Sequence, residues 1–329
     1  MKAIVFHNYG APDVLQCEEV ERPTAGDDEV LIKVRAASIN PLDWRLMRGE
    51  PYLIRATTGL RKPKATRIGV DLAGQVEAVG RNVTQFQPGD EVFGASTRRG
   101  AFAEYACAYE KELVLKPANL TFEQAAAVPV AAFTALQGLR DKGRIQSAQK
   151  VLINGAAGGV GTFAVQIAKS FGAHVTGVCS TRNVGMVRSI GADHVIDYTR
   201  EDFALSAQRY DLIFDSVGNR SVSACRHVMS PKGIYVVVGG PAGRWIGPLA
   251  PLLKALLLSP FVSQNLVVCM SRQSKEDLVV LKELIEAKKV TPIIDRSYTL
   301  SEVPEAIRYL EEGHARGKVV ITEEQSNKT

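Results

Sequence analysis

The chain has 329 residues, of which 46% are hydrophobic and 23% charged, and its formal net charge is +5. This composition is ordinary for a globular protein, and the length favours two domains over one. The basic residues are spread along the chain, and the densest run, residues 61–64, is short. We therefore expect a solvated loop there and no nucleic-acid partner.

Cysteine usage and hydropathy exclude two further classes of protein. The five cysteines are scattered and form no CxxC pair, so the sequence predicts neither a disulfide framework nor a cysteine zinc site. The first residues read as a strand and lack the apolar run of a signal peptide. The most apolar stretch, residues 246–258, is interrupted by prolines and a lysine and is too short to cross a bilayer. We expect a cytoplasmic protein without a transmembrane segment.

The first third of the chain has the pattern of many short strands. It is rich in β-branched and turn residues, with strand-like stretches at residues 30–34 and 74–79. Pro88 and Gly89 form a turn that leads into a further strand.

From Phe122 onward the pattern alternates between helix and strand. An alanine-rich helix is predicted over residues 124–139. Short apolar strands then alternate with helices, as expected for a doubly wound parallel sheet covered on both faces. The predicted strands are residues 150–154, 174–179, 194–197, 211–214 and 234–238, with helices at 160–171 and 186–190. A helix over 303–312 and a closing strand over 318–321 indicate a return to the first domain.

A glycine-rich turn joins the strand at 150–154 to the helix that follows it. Gly158 and Gly159 lack a Cβ, so backbone amides can approach a pyrophosphate, and the helix adds its positive N-terminal end. Gly161 allows the helix to pack closely on the strand. The spacing is GxxGGxG, and the strand–turn–helix context indicates a dinucleotide site.

The end of the next strand indicates which nicotinamide cofactor binds. NAD sites usually place an acid there, whereas this chain has Ser180 and Arg182 and no acid. Serine can donate to a 2′-phosphate and arginine can pair with it. The sequence therefore predicts NADPH. Tyr198, after the third strand, is either a contact to the adenosine end or half-buried packing.

With these residues in view the chain resembles the medium-chain dehydrogenase/reductase superfamily, and within it the quinone oxidoreductase branch. The resemblance rests on the glycine turn and on three further motifs, residues 37–43, 87–92 and 313–318. It is similar to quinone reductases related to the mitochondrial reticulon-interacting protein and to plant alkenal and alkenone reductases.

The resemblance implies a GroES-like β-rich catalytic domain and a Rossmann domain, with the active site in the cleft between them. We expect the catalytic domain over 1–121, the NADPH-binding domain over 122–296 and the C-terminal return over 297–329. The implied cofactor contacts, together with those read from the residues themselves, are Ala157, Gly158, Gly159, Val160, Ser180, Arg182, Tyr198, His314, Ala315 and Arg316.

The chain departs from the zinc enzymes of this superfamily. Those enzymes carry a cysteine where this chain has Asn40, and Gly-His-Glu where it has Gly69, Val70 and Asp71. Valine cannot bind zinc, and Asp71 with Asp43 alone would be a poor site. Without a Lewis acid, we expect a conjugated acceptor, a quinone or an α,β-unsaturated carbonyl compound, and no metal.

Catalysis would then depend chiefly on positioning in a dry cleft. Asn40 and Asp43 are candidates for orienting the acceptor or a water molecule. The alternative is structural, because Asn-Pro-x-Asp is also a good turn and helix N-cap sequence. Tyr52 is a weaker candidate hydroxyl donor. The apolar segment 245–261 is an acceptor-pocket wall, a subunit contact, a membrane contact or core packing.

Two other functions stay open from the sequence. One is an NADPH-binding protein with little turnover, like crystallin-type or RNA-associated relatives, and the other is a carbonyl or alcohol dehydrogenase. The sequence does not fix the oligomeric state, and a homodimer is one option.

Overall fold

The computed structural model describes residues 1–98, 100–239 and 264–323. The apolar segment 245–261, for which the sequence offers several roles, lies outside these described residues. The chain forms two compact units. The first comprises Met1–Val130, Gln273–Ala287 and Pro292–Thr329, and the second comprises Ala131–Arg272 and Lys288–Thr291.

The N-terminal part of the chain is rich in strands, as the turn-rich sequence predicts. Its elements are β1 (Lys2–Val5), β2 (Gln16–Glu19), β3 (Glu29–Ser38), α1 (Pro41–Arg48), α2 (Arg55–Thr58), β4 (Asp71–Val79), β5 (Glu91–Ala95), β6 (Tyr105–Tyr109), β7 (Leu113–Leu115) and α3 (Phe122–Ala126).

Helices and strands then alternate. The elements of this part are α4 (Pro129–Gln137), β8 (Lys150–Asn154), α5 (Gly159–Ser170), β9 (His174–Cys179), α6 (Val184–Ser189), β10 (His194–Asp197), β11 (Tyr210–Asp215), α7 (Val222–His227), β12 (Met229–Val237) and β13 (Asn265–Val268). The chain continues through α8 (Lys275–Glu286), β14 (Ile294–Thr299), α9 (Val303–Glu311) and β15 (Lys318–Thr322).

The first unit is built on a seven-stranded sheet in the order β14-β15-β3-β4-β5-β7, with β6 also pairing with β3. Its pairs are antiparallel except for β14 and β15, which run parallel. β15 lies antiparallel to β3, so a strand from the last part of the chain completes the sheet that the N-terminal strands start. The core joins side chains of both chain ends, such as Ile32 of β3 and Val319 of β15.

The second unit contains a six-stranded parallel sheet in the order β10-β9-β8-β11-β12-β13. Counted within the unit, this is the 3-2-1-4-5-6 order of the doubly wound dinucleotide-binding fold. The predicted fold class is therefore confirmed. Strands β8, β9 and β10 begin and end at the predicted residues. Each is a short, mostly apolar run, so its pattern is visible in the local sequence.

The compact units divide the chain at different residues from those expected after 121 and 296. Helix α3 packs on β3 and β4, and α8 packs on β7, so both helices belong to the first unit. The alanine-rich stretch is also two helices rather than one, because Pro129 begins α4. Proline lacks the N–H that a continuous helix would need at that position. Helical periodicity indicates a helix, but it does not indicate which sheet that helix covers.

In the described parts of the chain, no helix combines the length and apolar character needed to span a bilayer.

Candidate functional site

The glycine turn between β8 and α5 brings backbone very close to backbone. A Cβ on Gly161 would lie 2.0 Å from the carbonyl oxygen of Gly155, so only glycine fits there. Gly155 itself has a φ of +85°, which favours glycine. The turn therefore requires glycine at both positions for its own geometry, because the start of the helix at Gly161 lies close against the backbone of Gly155 and Ala156.

The start of α5 fits the diphosphate of a dinucleotide. Gly158 is the N-cap residue, and it has no side chain that could cap the amides of the first turn. A Cβ on Gly158 would approach only the carbonyl oxygen of Gly155, at 3.5 Å, so the space in front of this residue is open. Free amides and the positive end of a 12-residue helix are the features by which helix N-termini bind anions, so the diphosphate contact here stays a prediction. Ala157 and Val160 flank these glycines in the same turn.

A buried carboxylate holds the loop that follows β11. Asp215 is fully buried, and its Oδ1 accepts hydrogen bonds from Asn154 Nδ2 at 2.8 Å and from the amides of Val217 and Gly218. Its Oδ2 accepts from the hydroxyl of Tyr235 at 2.6 Å. The loop is therefore fixed between the carboxyl ends of β8 and β11. Ligands of doubly wound sheets bind where the strand order reverses, and here that point lies between these two strands.

The residues predicted to select the cofactor cluster at the carboxyl ends of β9 and β10. Ser180 is half-buried, Arg182 is exposed and the Tyr198 side chain is 47% exposed. Asn183 Nδ2 donates to Ser180 Oγ at 3.2 Å, so the serine hydroxyl keeps its own proton for another acceptor. The structure thus brings these three predicted contacts to one edge of the sheet.

Sequence reasoning missed a carboxylate at this edge. Asp197 ends β10 and lies opposite Cys179 in the register of the sheet. Its oxygens accept hydrogen bonds from the hydroxyls of Thr181 and Thr199 and from the amide of Thr199. These hydrogen bonds, with the Thr181 hydroxyl foremost, hold the pKa of Asp197 below its usual range. Sequence motifs for NAD sites look for an acid at the end of the second strand of the unit, β9. Asp197 ends the third strand, β10, so these motifs do not detect it.

In the first unit, Asn40 and Asp43 lie at the start of α1 and are almost completely buried. Asp43 Oδ2 accepts from the backbone amide of Asn40 at 2.8 Å, and its Oδ1 accepts from the amide of Gly69 at 3.1 Å. Both carboxylate oxygens are therefore used by backbone groups. This geometry supports the structural alternative for Asn-Pro-x-Asp, and the acceptor-orienting role stays a prediction.

Asn40 belongs to a buried ionic cluster with Asp71 and Lys318. The Lys318 ammonium lies 3.5 Å from Asp71 Oδ2 and donates to Asn40 Oδ1 at 2.7 Å. Asp71 Oδ2 also accepts from Asn40 Nδ2 at 2.8 Å, and its Oδ1 accepts from the amide of Val130 at 3.1 Å. The side chains of Lys318 and Asp71 are 4% and 0% exposed, so each charge depends on the other. Lys318 was absent from the sequence-based candidates.

Asp43, whose charge interacts with those of Asp71 and Lys318, extends the cluster to two carboxyl groups and one ammonium group. Burial raises the pKa of Asp43 to about 7 and raises that of Asp71, whereas burial lowers the pKa of Lys318. The Asp71 charge further raises the pKa of Asp43. One proton on Asp43 leaves the cluster neutral, which is the arrangement that burial favours.

The predicted contact residues 314–316 form the turn between α9 and β15, two residues before Lys318. His314 and Arg316 are exposed, and Ala315 is half-buried. The amide of Arg316 donates to Asp295 Oδ2, which also accepts from the hydroxyl of Tyr309. This carboxylate fixes the turn in the first unit.

Tyr52, the weaker candidate, packs against an arginine. The guanidinium carbon of Arg55 lies 4.8 Å from its ring centre and 4.5 Å from that of Tyr9. Arg55 also donates to the backbone carbonyls of Arg48 and Gly49. The ring therefore helps to hold this segment in place.

Comparison with known proteins agrees with this architecture. Residues 26–118 match the family model of the alcohol dehydrogenase GroES-like domain, and residues 190–321 match the zinc-binding dehydrogenase model. A 2-methylene-furan-3-one reductase of Solanum lycopersicum is 37% identical, over 98% of this chain and 79% of the relative. An NADPH-dependent alkenal/one oxidoreductase of Arabidopsis thaliana chloroplasts is 36% identical over the same shares.

A solved structure shows the same arrangement of the backbone. The quinone oxidoreductase from Coxiella burnetii matches with a TM-score of 0.87 and 30% sequence identity, covering 98% of this chain and 99% of that protein. The chain therefore belongs to the medium-chain dehydrogenase/reductase superfamily of oxidoreductases, in the branch of quinone and alkenal oxidoreductases. The resemblance inferred from the glycine turn and the three further motifs is confirmed.

Breaking the buried ion pair between Lys318 and Asp71 should strongly lower the stability of the fold. We expect Lys318→Met to lower the free energy of unfolding by about 3–5 kcal/mol, because it leaves the Asp71 carboxylate buried without its cation. Urea denaturation measures the change. The double variant Asp71→Asn with Lys318→Met should cost less than the sum of its two single variants.

The matched control is Arg81→Met, which breaks an exposed ion pair with Asp27. This substitution should change stability by less than about 1 kcal/mol. A Lys318→Met variant as stable as Arg81→Met would contradict the assignment.

Because the pKa of Asp43 is raised in the folded chain, the stability difference between wild type and Asp43→Asn should depend on pH. This pKa rises from an ordinary 3.8 to about 7 in the folded chain, so between these values the folded state binds more protons and loses stability as pH rises. Asp43→Asn removes this titration. Urea denaturation should show its stability improving relative to wild type from pH 5 to 8, at most by about 1.4 kcal/mol per pH unit within the window. A difference that stays constant, or that moves in the opposite direction, would refute the pKa assignment.

Proposed function

We propose that this chain is a zinc-independent oxidoreductase that transfers hydride from NADPH to a quinone or an α,β-unsaturated carbonyl compound. The observation that carries the proposal is the uncapped glycine turn at Gly158, followed one strand later by Ser180 and Arg182 in place of an acid. The names of the relatives support it, since they describe an NADPH-dependent alkenal/one oxidoreductase and a quinone oxidoreductase.

The residues of the second unit would hold the cofactor in parts. The uncapped amides at the start of α5 would bind the diphosphate, with Ala157, Gly158, Gly159 and Val160 lining the turn. The Ser180 hydroxyl and the Arg182 guanidinium would bind the 2′-phosphate, and the exposed ring of Tyr198 would contact the adenosine end. When bound, NADPH supplies the hydride.

Proton supply and positioning shape the rest of the mechanism. Hydride addition to a conjugated acceptor places negative charge on an oxygen that a water molecule or hydroxyl can protonate. Asp43 and Asp71 have their oxygens committed within the buried cluster, so the proposal gives them no proton-transfer step. Orientation of the two reactants then supplies the rate enhancement.

The chemistry of the cluster supports zinc independence. Val70 has no ligating atom, and the carboxylates of Asp43 and Asp71 already receive backbone amides and the Lys318 ammonium. The ammonium places a fixed positive charge beside the carboxylate that a metal would need. Across residues 1–98, 100–239 and 264–323, no three His, Cys, Asp or Glu side chains are grouped as a metal site.

We also propose a reducing compartment, the cytoplasm, for this protein. Cys179 and Cys225 are buried thiols, and burial raises their pKa values to about 11 and about 12. Such thiols stay protonated and serve as small apolar side chains.

Turnover with conjugated acceptors tests the proposal. We expect NADPH oxidation, followed by the loss of absorbance at 340 nm, with at least one member of a panel of benzoquinones, naphthoquinones and enones. Simple ketones should give no turnover, because no Lewis acid polarises their carbonyl oxygen. Tight NADPH binding without turnover across the panel would instead indicate a nucleotide-binding protein.

Metal content is the control for this experiment. Activity should survive dialysis against a chelator, and elemental analysis should find no stoichiometric zinc. Stoichiometric zinc, with activity that the chelator abolishes, would replace the proposal with a metal-dependent dehydrogenase.

Cofactor preference tests the role of Arg182. We expect Arg182→Ala to weaken NADPH binding by about 1–3 kcal/mol, the range of a charge-assisted hydrogen bond, and to leave NADH binding unchanged. Isothermal titration calorimetry with both cofactors measures this. Arg188→Ala, at an exposed arginine of α6, is the matched control and should change neither affinity. Equal losses for the two cofactors would refute the assignment.

A further inference from the structure

Asp197 presents an electrostatic problem at the predicted 2′-phosphate site. It is an ionised carboxylate at the carboxyl end of β10, directly beside the end of β9 that carries Ser180 and Arg182. A lone carboxylate there would repel a phosphate and favour a cofactor that lacks one. The hydrogen bonds around Asp197 indicate a different role.

Asp197 joins the two turns that follow β9 and β10. Its Oδ2 accepts from the Thr181 hydroxyl at 2.5 Å, and its Oδ1 accepts from the Thr199 hydroxyl at 2.8 Å and the Thr199 amide at 3.0 Å. The two threonine hydroxyls also lie 2.9 Å apart. Thr181 and Thr199 each immediately precede an arginine, Arg182 and Arg200. The carboxylate therefore fixes the backbone from which both arginines extend.

Arg200 also contacts this carboxylate directly. Its Nε lies 3.5 Å from Asp197 Oδ2, while its side chain is 75% exposed and that of Asp197 only 11%. Because Nε is the guanidinium atom that faces the carboxylate, the two terminal nitrogens can bind a further acceptor, and paired terminal N–H groups match the oxygens of a phosphate. The carboxylate thus accepts hydrogen bonds from both threonines, and its Oδ2 also faces the cation of Arg200.

We propose that Arg200 is a specificity-determining residue for the 2′-phosphate of NADPH, and that Asp197 is the positioning residue that holds Arg200 and the Thr181 turn. This inference rests on the proposed use of NADPH. It assigns the acid a favourable effect on phosphate binding, the opposite of the repulsion that its charge alone predicts.

Calorimetric titration with NADPH and NADH tests both residues. Arg200→Ala should weaken NADPH binding about tenfold and leave NADH binding unchanged, since only the 2′-phosphate contact is lost. Asp197→Asn should also weaken NADPH binding, by about threefold to tenfold, with a smaller effect on NADH. Removal of a merely repulsive charge would strengthen NADPH binding, so the sign of this change separates the two roles.

Two variants serve as controls. Asp193→Asn removes an acid that pairs with Lys169 immediately before the opposite end of β10, and it should change the ratio of the two affinities little. Arg209→Ala removes an exposed arginine whose guanidinium donates to backbone carbonyls of its own loop, and it should change neither affinity. Circular dichroism of each variant verifies the fold.

The outcomes separate this inference from the proposed function. If wild type binds NADPH tightly and Arg200→Ala binds it equally well, or Asp197→Asn binds it more tightly, the inference fails and the proposed cofactor stands. If wild type binds neither nucleotide, the proposed function itself fails. Because the Arg200 side chain is exposed, its variant gives a clear result even if Asp197→Asn does not fold.

Discussion

The carboxylate of Asp71 receives hydrogen bonds or charge from separate stretches of the chain. Ser38 at the end of β3, Asn40 before α1, Val130 at the start of α4 and Lys318 in β15 all approach it. A buried carboxylate without these partners would be strongly unfavourable, so the segments must assemble together. The first unit therefore depends on an ionic contact as well as on its apolar core.

The second unit holds its candidate site through backbone geometry and through a buried carboxylate that accepts hydrogen bonds from neutral groups. Its glycine turn leaves the first amides of α5 without a side-chain cap, and Asp215 fixes the neighbouring loop through buried hydrogen bonds. Rigid surroundings and unsatisfied amides suit a site for an anionic cofactor, because little reorganisation is needed on binding. The polar residues buried near the site thus act mainly by holding backbone in position.

The sequence predicted the strands and the glycine turn well, and the ionic contacts poorly. Strands β8, β9 and β10 are short apolar runs, and their pattern is local. Asn40 and Lys318 are 278 residues apart, and a lysine at the start of an apolar strand usually marks an exposed end. Asp197 was missed for a similar reason, because its effect on the site arises from the register of two parallel strands. Contacts of this kind depend on tertiary pairing, which single-sequence patterns do not encode.

The position of β15 between β14 and β3 has a consequence for biosynthesis. A ribosome releases the N-terminal strands first, but their sheet lacks its final strand, and Asp71 lacks its cation, until residue 318 has emerged. The parallel sheet, as far as the structure describes it, is built only from strands between residues 150 and 268. During synthesis, the nucleotide-binding unit should therefore fold before β15 is available to pair with β3. During that interval the N-terminal strands expose unpaired edges, which can pair with the edges of other chains.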